Sequence, residues 1–237
     1  MPRLSVNLNK VALIRNSRGA NYPDLIRVAM DCEAFGAEGI TIHPRPDQRH
    51  ARYDDVAALK EVVTTELNIE GYPSEEFLSV VLAARPDQVT LVPDEPGQLT
   101  SDHGWDTIKK AEELKRIISR LQERGIRTSI FIDPDRALLD GAQSVGTDRV
   151  EFYTGPYAKG YDEDREAAVA PFAEASRFAA ELGLGINAGH DLNLHNLSFF
   201  ARNLPDLEEV SIGHALITDA LYHGLSNTIQ LYLQRLK

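Results

Sequence analysis

Short apolar runs recur along the chain at intervals of roughly thirty residues, with helix-length stretches between them. They predict strands at 3–8, 38–43, 67–71, 88–93, 127–132, 148–153, 184–188 and 208–213. No run has the features of an edge strand, so parallel strands that close on themselves are favoured over an open sheet. The predicted fold is α/β, a single-domain (β/α)8 TIM barrel over residues 1–237.

The stretches between the strands predict the helices. Pro23 suits a first helical turn after a polar loop, Ser74 suits an N-cap, and Gly125 suits a helix end. The predicted helices run from Pro23 to about Phe35, over 54–66, from Ser74 to about Ala84, over 106–124, from Pro134, and over 164–182, 193–203 and 215–235. The longest predicted loop is 94–105, and a second, rich in glycine and tyrosine, spans 154–162.

Composition narrows the class of protein. With 43% apolar residues the 237-residue chain can bury a sizeable core, and a net charge of -11 argues against a nucleic-acid groove. Cys32 is the single cysteine and is expected to be a buried, inert thiol. No apolar stretch approaches the ~20 residues that span a bilayer, and a strand from residue 3 leaves no room for a signal peptide. We therefore expect a cytoplasmic protein without nucleic-acid or membrane partners.

Most of the predicted strands end in a side chain that can do chemistry. These residues are Asn7 and Asn9, His43, Glu70, Asp133, Glu151, His190 and His214. Because the carboxyl ends of parallel barrel strands meet on one face, where barrel enzymes build their active sites, the pattern indicates an enzyme.

The loop after the second strand has the densest chemistry. His43-Pro44-Arg45-Pro46-Asp47-Gln48-Arg49-His50 holds two imidazoles and two guanidiniums, donors that suit phosphate oxygens. We assign anion binding to Arg45 with His43 and His50. Arg49 and Arg52 are interpreted as surface residues that pair with Asp47 or Asp54.

The two strand-end glutamates are candidates for proton transfer. Burial at a barrel mouth raises the pKa of a carboxyl, which suits acid–base work near neutrality. The alternative is a structural carboxylate paired with an arginine such as Arg18. The Gly189-His190 and Gly213-His214 pairs follow strands seven and eight, where barrels commonly bind phosphate.

A metal site is considered and not expected. His43, His190 and His214 could converge as three ligands, but the chain has no His-x-His pair on strand one and no cysteine cluster. An enzyme Schiff base is also poorly supported, since Lys10 lies on a polar loop. His195 and His223 are interpreted as packing or surface residues, and His103 stays ambiguous.

These motifs, in this order, resemble the pyridoxine 5'-phosphate synthase family of vitamin B6 biosynthesis. The segments that carry the resemblance are Asn7–Gly19, Gly39–His50, Asn68–Glu70, Phe131–Asp133, Glu151 with Tyr153–Gly155, Asn187–His190 and Ile212–His214. The family implies a β/α barrel that assembles as an oligomer, an octamer built from dimers. It condenses 1-deoxy-D-xylulose 5-phosphate with 3-amino-2-oxopropyl phosphate to pyridoxine 5'-phosphate, phosphate and water, without metal or organic cofactor.

The resemblance also implies roles for individual residues. His43 and Glu70 would be general bases, His190 a proton donor, and Glu151 a stabiliser of charged intermediates. The residues implied for the xylulose phosphate are Arg45, His50 and Thr100. Those implied for the aminoketone phosphate are Asn7, Arg18, Asp191, Gly213 and His214.

The chain departs from many family members at two places on the same face. They carry Asp-His where it has Asn9-Lys10, and glycine where it has Asp191. Lys10 keeps a hydrogen-bond donor, and Asn9 and Lys10 are retained as candidate substrate-binding residues.

The alternative functions are a non-catalytic phosphosugar-binding barrel and a phosphosugar isomerase or epimerase. The loop 94–105 is a candidate lid over the barrel mouth, which would exclude water from hydrolysable intermediates.

Overall fold

The computed structural model describes residues 1–94 and 101–237, and its eight strands form one closed parallel barrel in chain order. The strands are β1 Arg3–Asn7, β2 Gly39–Ile42, β3 Leu67–Gly71, β4 Gln88–Leu91, β5 Arg127–Ile132, β6 Arg149–Tyr153, β7 Gly185–Gly189 and β8 Leu207–Ile212. Closure comes from parallel pairing of β1 with β8, in which Leu4 is opposite Val210. The predicted (β/α)8 barrel is confirmed.

Helices surround the barrel on its outer side. They are α1 Asn9–Asn16, α2 Leu25–Ala34, α3 Tyr53–Lys60, α4 Glu75–Ala84, α5 Ala111–Gln122, α6 Arg136–Val145, α7 Gly155–Glu181, α8 Leu197–Asn203, α9 His214–His223 and α10 Leu225–Arg235. In the part of the chain that the structure describes, no helix is long and apolar enough to cross a membrane.

Alternation along the strands separates two environments. Apolar side chains such as Ile40, Ile42 and Ile69 are buried in the layer between sheet and helices. The intervening positions are polar and meet inside the barrel, where hydroxyls and amides hydrogen-bond from strand to strand. These bonds join Ser5 to Thr41 (2.7 Å), Asn68 to Thr41 (3.5 Å) and Thr90 to Asn68 (3.1 Å). The barrel interior is therefore mostly polar, with Phe131 as an apolar exception, so Glu70 and Glu151 are not in the wholly apolar setting that their strands indicate.

Four predictions about the helices are corrected. The segment after β1 is helix α1, not a polar loop; its Leu13 and Ile14 are exposed while Arg15 is buried, so it lacks an apolar period. Helix α2 is capped by Asp24, whose side chain accepts from the backbone N–H of Ile26 at 2.9 Å, so Pro23 lies outside it.

The segment 154–162, predicted as a loop, belongs to α7, which breaks at Asp164. The Asp164 carboxylate accepts from the backbone N–H of Ala167 at 3.0 Å and caps the second part. The last predicted helix is two helices, because Gly224 at φ +75° ends α9. Ser74 caps α4 as predicted.

The outer core contains Cys32 and an aromatic cluster. Tyr157 packs its ring 4.9 Å from Phe200, and Phe172 lies 5.6 Å from Phe200 between centroids. Cys32 is a free, buried thiol, as predicted, and burial raises its pKa to about 12.

The amino-terminal end of the barrel is filled by ion pairs. Arg3 contacts Glu66 at 2.8 Å and Glu209 at 3.6 Å, and Arg127 forms a short ion pair with Glu66. Burial first, and then the charge of Glu66, raise the pKa of Glu209 to about 8. Charges at this end of a barrel serve stability and lie opposite the catalytic face.

Candidate active site

The strand-end residues singled out by the sequence converge at the carboxyl end of the barrel. Asn7 ends β1, Glu70 lies near the end of β3, and His43 follows β2. Glu151 is in β6, and His190 follows β7. The two histidines and two glutamates are buried or half-buried, in a space enclosed by four different strands.

His43 and Glu70 form the closest acid–base pair of the site. His43 Nδ1 lies 3.8 Å from Glu70 Oε2, and Asn7 Nδ2 donates to the same oxygen at 3.3 Å. Burial, and next the negative charge of Asp94, raise the pKa of Glu70 to about 7. Burial, and next the charge of Arg45, hold the pKa of His43 well below its ordinary value. At neutral pH the pair is a neutral imidazole beside a carboxyl that exchanges its proton readily.

Asn9 is hydrogen-bonded to both His43 and Asn7. Its side-chain oxygen accepts from the backbone N–H of His43 at 2.8 Å, and its own N–H donates to Asn7 Oδ1 at 3.0 Å. These contacts tie the start of α1 to the end of β2. Asn9 thus orients His43 in this structure, whether or not it also contacts substrate.

The phosphate candidate Arg45 is buried beside an acidic partner. Its Nη2 atom lies 2.6 Å from Asp94 Oδ2, and Ser101 Oγ donates to that same oxygen at 2.5 Å. His50 lies close by, with its ring 6.3 Å from that of His43. Burial and the charge of Arg45 lower the pKa of His50 to about 4, so His50 is neutral at pH 7.

The proton of the neutral His50 ring has a defined position. The backbone N–H of Ala51 donates to His50 Nδ1 at 3.1 Å, which makes Nδ1 an acceptor. In the neutral ring the proton is then on Nε2, which acts as a donor. A neutral donor beside a guanidinium is suited to bind phosphate oxygens.

Glu151 is a buried carboxyl on the far side of the mouth. Burial, and next the charge of Glu70, raise its pKa well above the ordinary value, which favours the protonated carboxyl. Its Oε2 atom has no hydrogen-bond partner among the described residues. A Cβ on Gly189 would lie 2.5 Å from Glu151 Oε1, so only glycine in β7 lets the carboxyl lie there.

His190 adopts a backbone conformation that non-glycine residues rarely take. Its φ is +76°, and its ring lies 4.8 Å from Phe131 and 5.8 Å from Tyr153 between centroids. Burial lowers its pKa, although the charge of Asp191 acts in the opposite direction. In the described ranges Nδ1 has no hydrogen-bond partner. The strained backbone and the two rings hold the imidazole in the mouth. The lowered pKa favours its neutral form.

The remaining candidates lie around this centre. Gly213 forms the N-cap of α9, and a Cβ there would lie 3.1 Å from Asn7 Cβ, so the start of α9 borders the β1 end. Lys10 is half-buried, and its charge contributes to the low pKa of His50. Asp191, His214 and Arg18 are exposed. Thr100, and with it much of the candidate lid 94–105, lies outside the described residues.

Several side chains that position the site carry no motif of their own. Arg15 pairs with Asp55 at 2.7 Å, and Asn16 Nδ2 donates to the carbonyl of His50 at 2.7 Å, so α1 holds the Arg45 loop. Among these positioning residues, only Asp94 could have been found from the sequence, because it is an acidic residue directly after a predicted strand. Asp133 has the same signal but accepts from the backbone N–H of Gly104 at 3.0 Å.

Peripheral charged residues behave as surface groups. Arg49 pairs with Asp47 at 3.4 Å, as expected, whereas Arg52 Nη2 donates to Asn16 at 2.8 Å. His195 and His103 form exposed pairs with Asp162 and Asp102. Within residues 1–94 and 101–237 no group of three or more His, Cys, Asp or Glu side chains could hold a metal ion, so His43, His190 and His214 do not converge as ligands.

The sequence matches the family model described as pyridoxal phosphate biosynthesis protein PdxJ over residues 4–237. The pyridoxine 5'-phosphate synthase of Cytophaga hutchinsonii is 60% identical over 237 residues, which is 100% of both chains. That of Parabacteroides distasonis is 59% identical over 232 residues, 98% of each chain. These matches confirm the resemblance inferred from the motifs.

Solved structures of other proteins share the architecture. Phosphoribosyl anthranilate isomerase from Thermus thermophilus aligns with a TM-score of 0.62 at 11% identity, covering 99% of this chain and 98% of that one. A chain of tryptophan synthase from M. tuberculosis aligns with a TM-score of 0.67 at 12% identity, covering 100% and 94%. At such identities the likeness shows the fold alone.

Proposed function

The chain belongs to the family of the pyridoxal phosphate biosynthesis protein PdxJ, and on that premise we propose how its barrel mouth carries out the pyridoxine 5'-phosphate synthase reaction. The substrates are 1-deoxy-D-xylulose 5-phosphate and 3-amino-2-oxopropyl phosphate. The products are pyridoxine 5'-phosphate, inorganic phosphate and water. The observation that carries the proposal is the pair of His43 and Glu70 at 3.8 Å, in one mouth with Glu151, whose pKa is raised, and His190, whose pKa is lowered.

The chemistry requires repeated proton transfers around one cavity. The amine of the aminoketone forms the imine with the sugar ketone, so no enzyme lysine is needed. Deprotonation next to a carbonyl or imine is assigned to Glu70 and His43, since both are unprotonated for much of the time at neutral pH. Protonation of leaving hydroxyls is assigned to His190 across the mouth, after His190 has taken up a proton removed in a preceding step. Glu151, a buried carboxyl whose raised pKa favours the protonated form, is assigned the donation of a hydrogen bond to oxygen or nitrogen centres that gain charge.

Two candidate anion sites favour a two-substrate reaction over an isomerase. The phosphosugar is assigned to Arg45 and neutral His50, with Lys10 and Thr100 as further contacts. The second phosphate is assigned to the first turn of α9 at Gly213 and His214, where unpaired backbone N–H groups attract anions. Asn7, Asn9, Arg18 and Asp191 complete this second site in the proposal.

We further propose that the protein works without metal or organic cofactor, as a cytoplasmic homo-oligomer that binds neither nucleic acid nor membranes. An exposed apolar surface supports a second copy as partner. Leu13 and Ile14 of α1 and Leu221 and Tyr222 of α9 are exposed on helices that pack side by side.

The test is direct synthesis from purified substrates. The protein is mixed with both phosphates, and pyridoxine 5'-phosphate and released phosphate are measured together. The proposal requires both in equal amounts, and neither when one substrate is omitted. Phosphosugar conversion without the aminoketone would instead indicate an isomerase, and binding without turnover would indicate a non-catalytic barrel.

A further inference from the structure

Asp94 occupies a position in the mouth that the proposed proton transfers do not use. It follows β4 and its side chain is 1% exposed. Its Oδ2 atom receives Arg45 Nη2 at 2.6 Å and Ser101 Oγ at 2.5 Å. A carboxylate this deeply buried is held by its partners, because water cannot replace them.

The same carboxylate restricts the phosphate candidate. The Arg45 side chain is only 9% exposed, and its Nη2 group is directed at Asp94. A guanidinium is planar, so a fixed Nη2 contact fixes the directions of its other N–H groups. Asp94 thereby fixes the orientation from which Arg45 would meet a phosphate and lowers the cost of reorganisation on binding.

Asp94 also influences the base. After burial, its negative charge is the largest influence that raises the pKa of Glu70, while the charge of Arg45 acts in the opposite direction. Asp94 therefore balances Arg45, which would otherwise hold Glu70 ionised and make it a weak base. The polar and titratable groups around Glu70 are Asn7, His43, Arg45, Asp94, Glu151 and Ser211.

Building on the proposed function, we propose that Asp94 is a positioning residue for this reaction: it orients Arg45 toward the phosphosugar and offsets the charge of Arg45 at Glu70. One carboxylate thereby couples phosphate recognition to proton transfer. Asp94 itself contacts neither substrate nor the reacting atoms.

The test compares Asp94→Asn with Arg45→Ala and the control Asp47→Asn. Asp47 pairs with Arg49 on the same loop but is exposed, so its variant should resemble the wild type. Steady-state constants for each substrate and the pH profile of kcat/KM are measured for all. Asp94→Asn should raise KM for the phosphosugar about tenfold or more, with little change for the aminoketone, because a buried charged hydrogen bond is lost. In the pH profile of Asp94→Asn, the acid limb, where kcat/KM falls as the pH is lowered, should move to lower pH, since Glu70 loses a negative neighbour.

The outcomes separate the role of Asp94 from the proposed function. If Asp94→Asn keeps the wild-type phosphosugar KM and acid limb while Arg45→Ala weakens phosphosugar binding, Asp94 has no positioning role and the proposed function stands. A lower phosphosugar KM would show that Asp94 opposes the anion and would overturn the inference. If Arg45→Ala leaves the phosphosugar KM unchanged, the assignment of Arg45 fails and the inference fails with it.

A purely structural role is separated by two further variants. Asp94→Glu keeps the charge, so its acid limb should stay near that of the wild type even if its KM rises. Ser101→Ala removes one hydrogen bond to Asp94 and should raise the phosphosugar KM to a smaller extent, and it replaces Asp94→Asn if that variant does not fold. A uniform loss of kcat in these variants, with unchanged KM and acid limb, would contradict positioning.

Discussion

Replacing Glu70 by glutamine is the sharpest perturbation of the proposed mechanism. Glutamine has the same shape and can still accept the hydrogen bond that Asn7 donates at 3.3 Å, so the fold should be kept. It cannot take up a proton at neutral pH. A positioned general base contributes about 10²–10⁴-fold to a rate, and we expect kcat to fall by about that factor while phosphate binding is nearly unchanged.

The pKa of Glu70 sets the pH dependence of the wild type. With a pKa of about 7 the carboxyl is about half ionised at pH 7, and about one tenth ionised at pH 6. The kcat/KM of the wild type should therefore fall about tenfold per pH unit below pH 7. The acid limb should be absent from whatever activity Glu70→Gln retains.

The same pKa predicts the opposite effect on stability. The carboxyl titrates at about 7 in the fold and at 4.5 in the unfolded chain, so it is protonated more readily when folded. Its stabilising contribution is complete below about pH 4.5 and is lost as the pH rises through 7. The difference amounts to about 3–4 kcal/mol at most, taking about 1.4 kcal/mol per pH unit. Glu70→Gln should therefore melt at a higher temperature than the wild type at pH 8, and at a similar temperature at pH 4.5.

The assays are steady-state kinetics between pH 5.5 and 9, phosphate binding by calorimetry, and thermal melting at pH 4.5 and 8. Turnover close to that of the wild type would remove Glu70 from the mechanism. An acid limb near the ordinary value for glutamate, or a variant less stable at pH 8, would refute the electrostatic reasoning about this carboxyl.

Three further predictions follow from other parts of the structure. Gly104→Ala should lower the free energy of unfolding, measured by chemical denaturation, by about 1–3 kcal/mol. The added Cβ would lie 2.5 Å from the backbone nitrogen of Asp133 and against Ile132, so unchanged stability would contradict this packing. The folded-state pKa of Glu209 is about 8, so the folded protein keeps a proton that the unfolded chain releases near pH 4.5, and stability should fall between these pH values. Glu209→Gln should make this fall smaller. Equal pH dependence of the melting temperature in wild type and variant would contradict this prediction. Turnover should survive EDTA, and loss that a divalent ion restores would show a metal requirement.

The local pattern of apolar and polar residues was enough to predict the barrel and the strand ends at which most of the chemical groups lie. Leu67–Gly71, Arg127–Ile132 and the Ser74 cap agree with their predictions because turn residues bound these elements clearly. Helix α1 was missed because the face it buries includes Arg15, whose burial depends on Asp55, a residue 40 positions away. A single-sequence pattern does not report such a partner.

The sequence by itself determined that polar groups end successive strands, and the topology of parallel strands then required them to meet at one mouth. It also specified the family, since these motifs occur in order along the chain and the family model matches residues 4–237. It did not determine their protonation. The neutral His50, the raised pKa of Glu151 and the Glu70 pKa of about 7 depend on burial and on neighbours from other strands. Arg45 and Asp94 are 49 residues apart in the chain, and only closure of the barrel places them 2.6 Å apart in a region that excludes water, where one charge decides how another behaves.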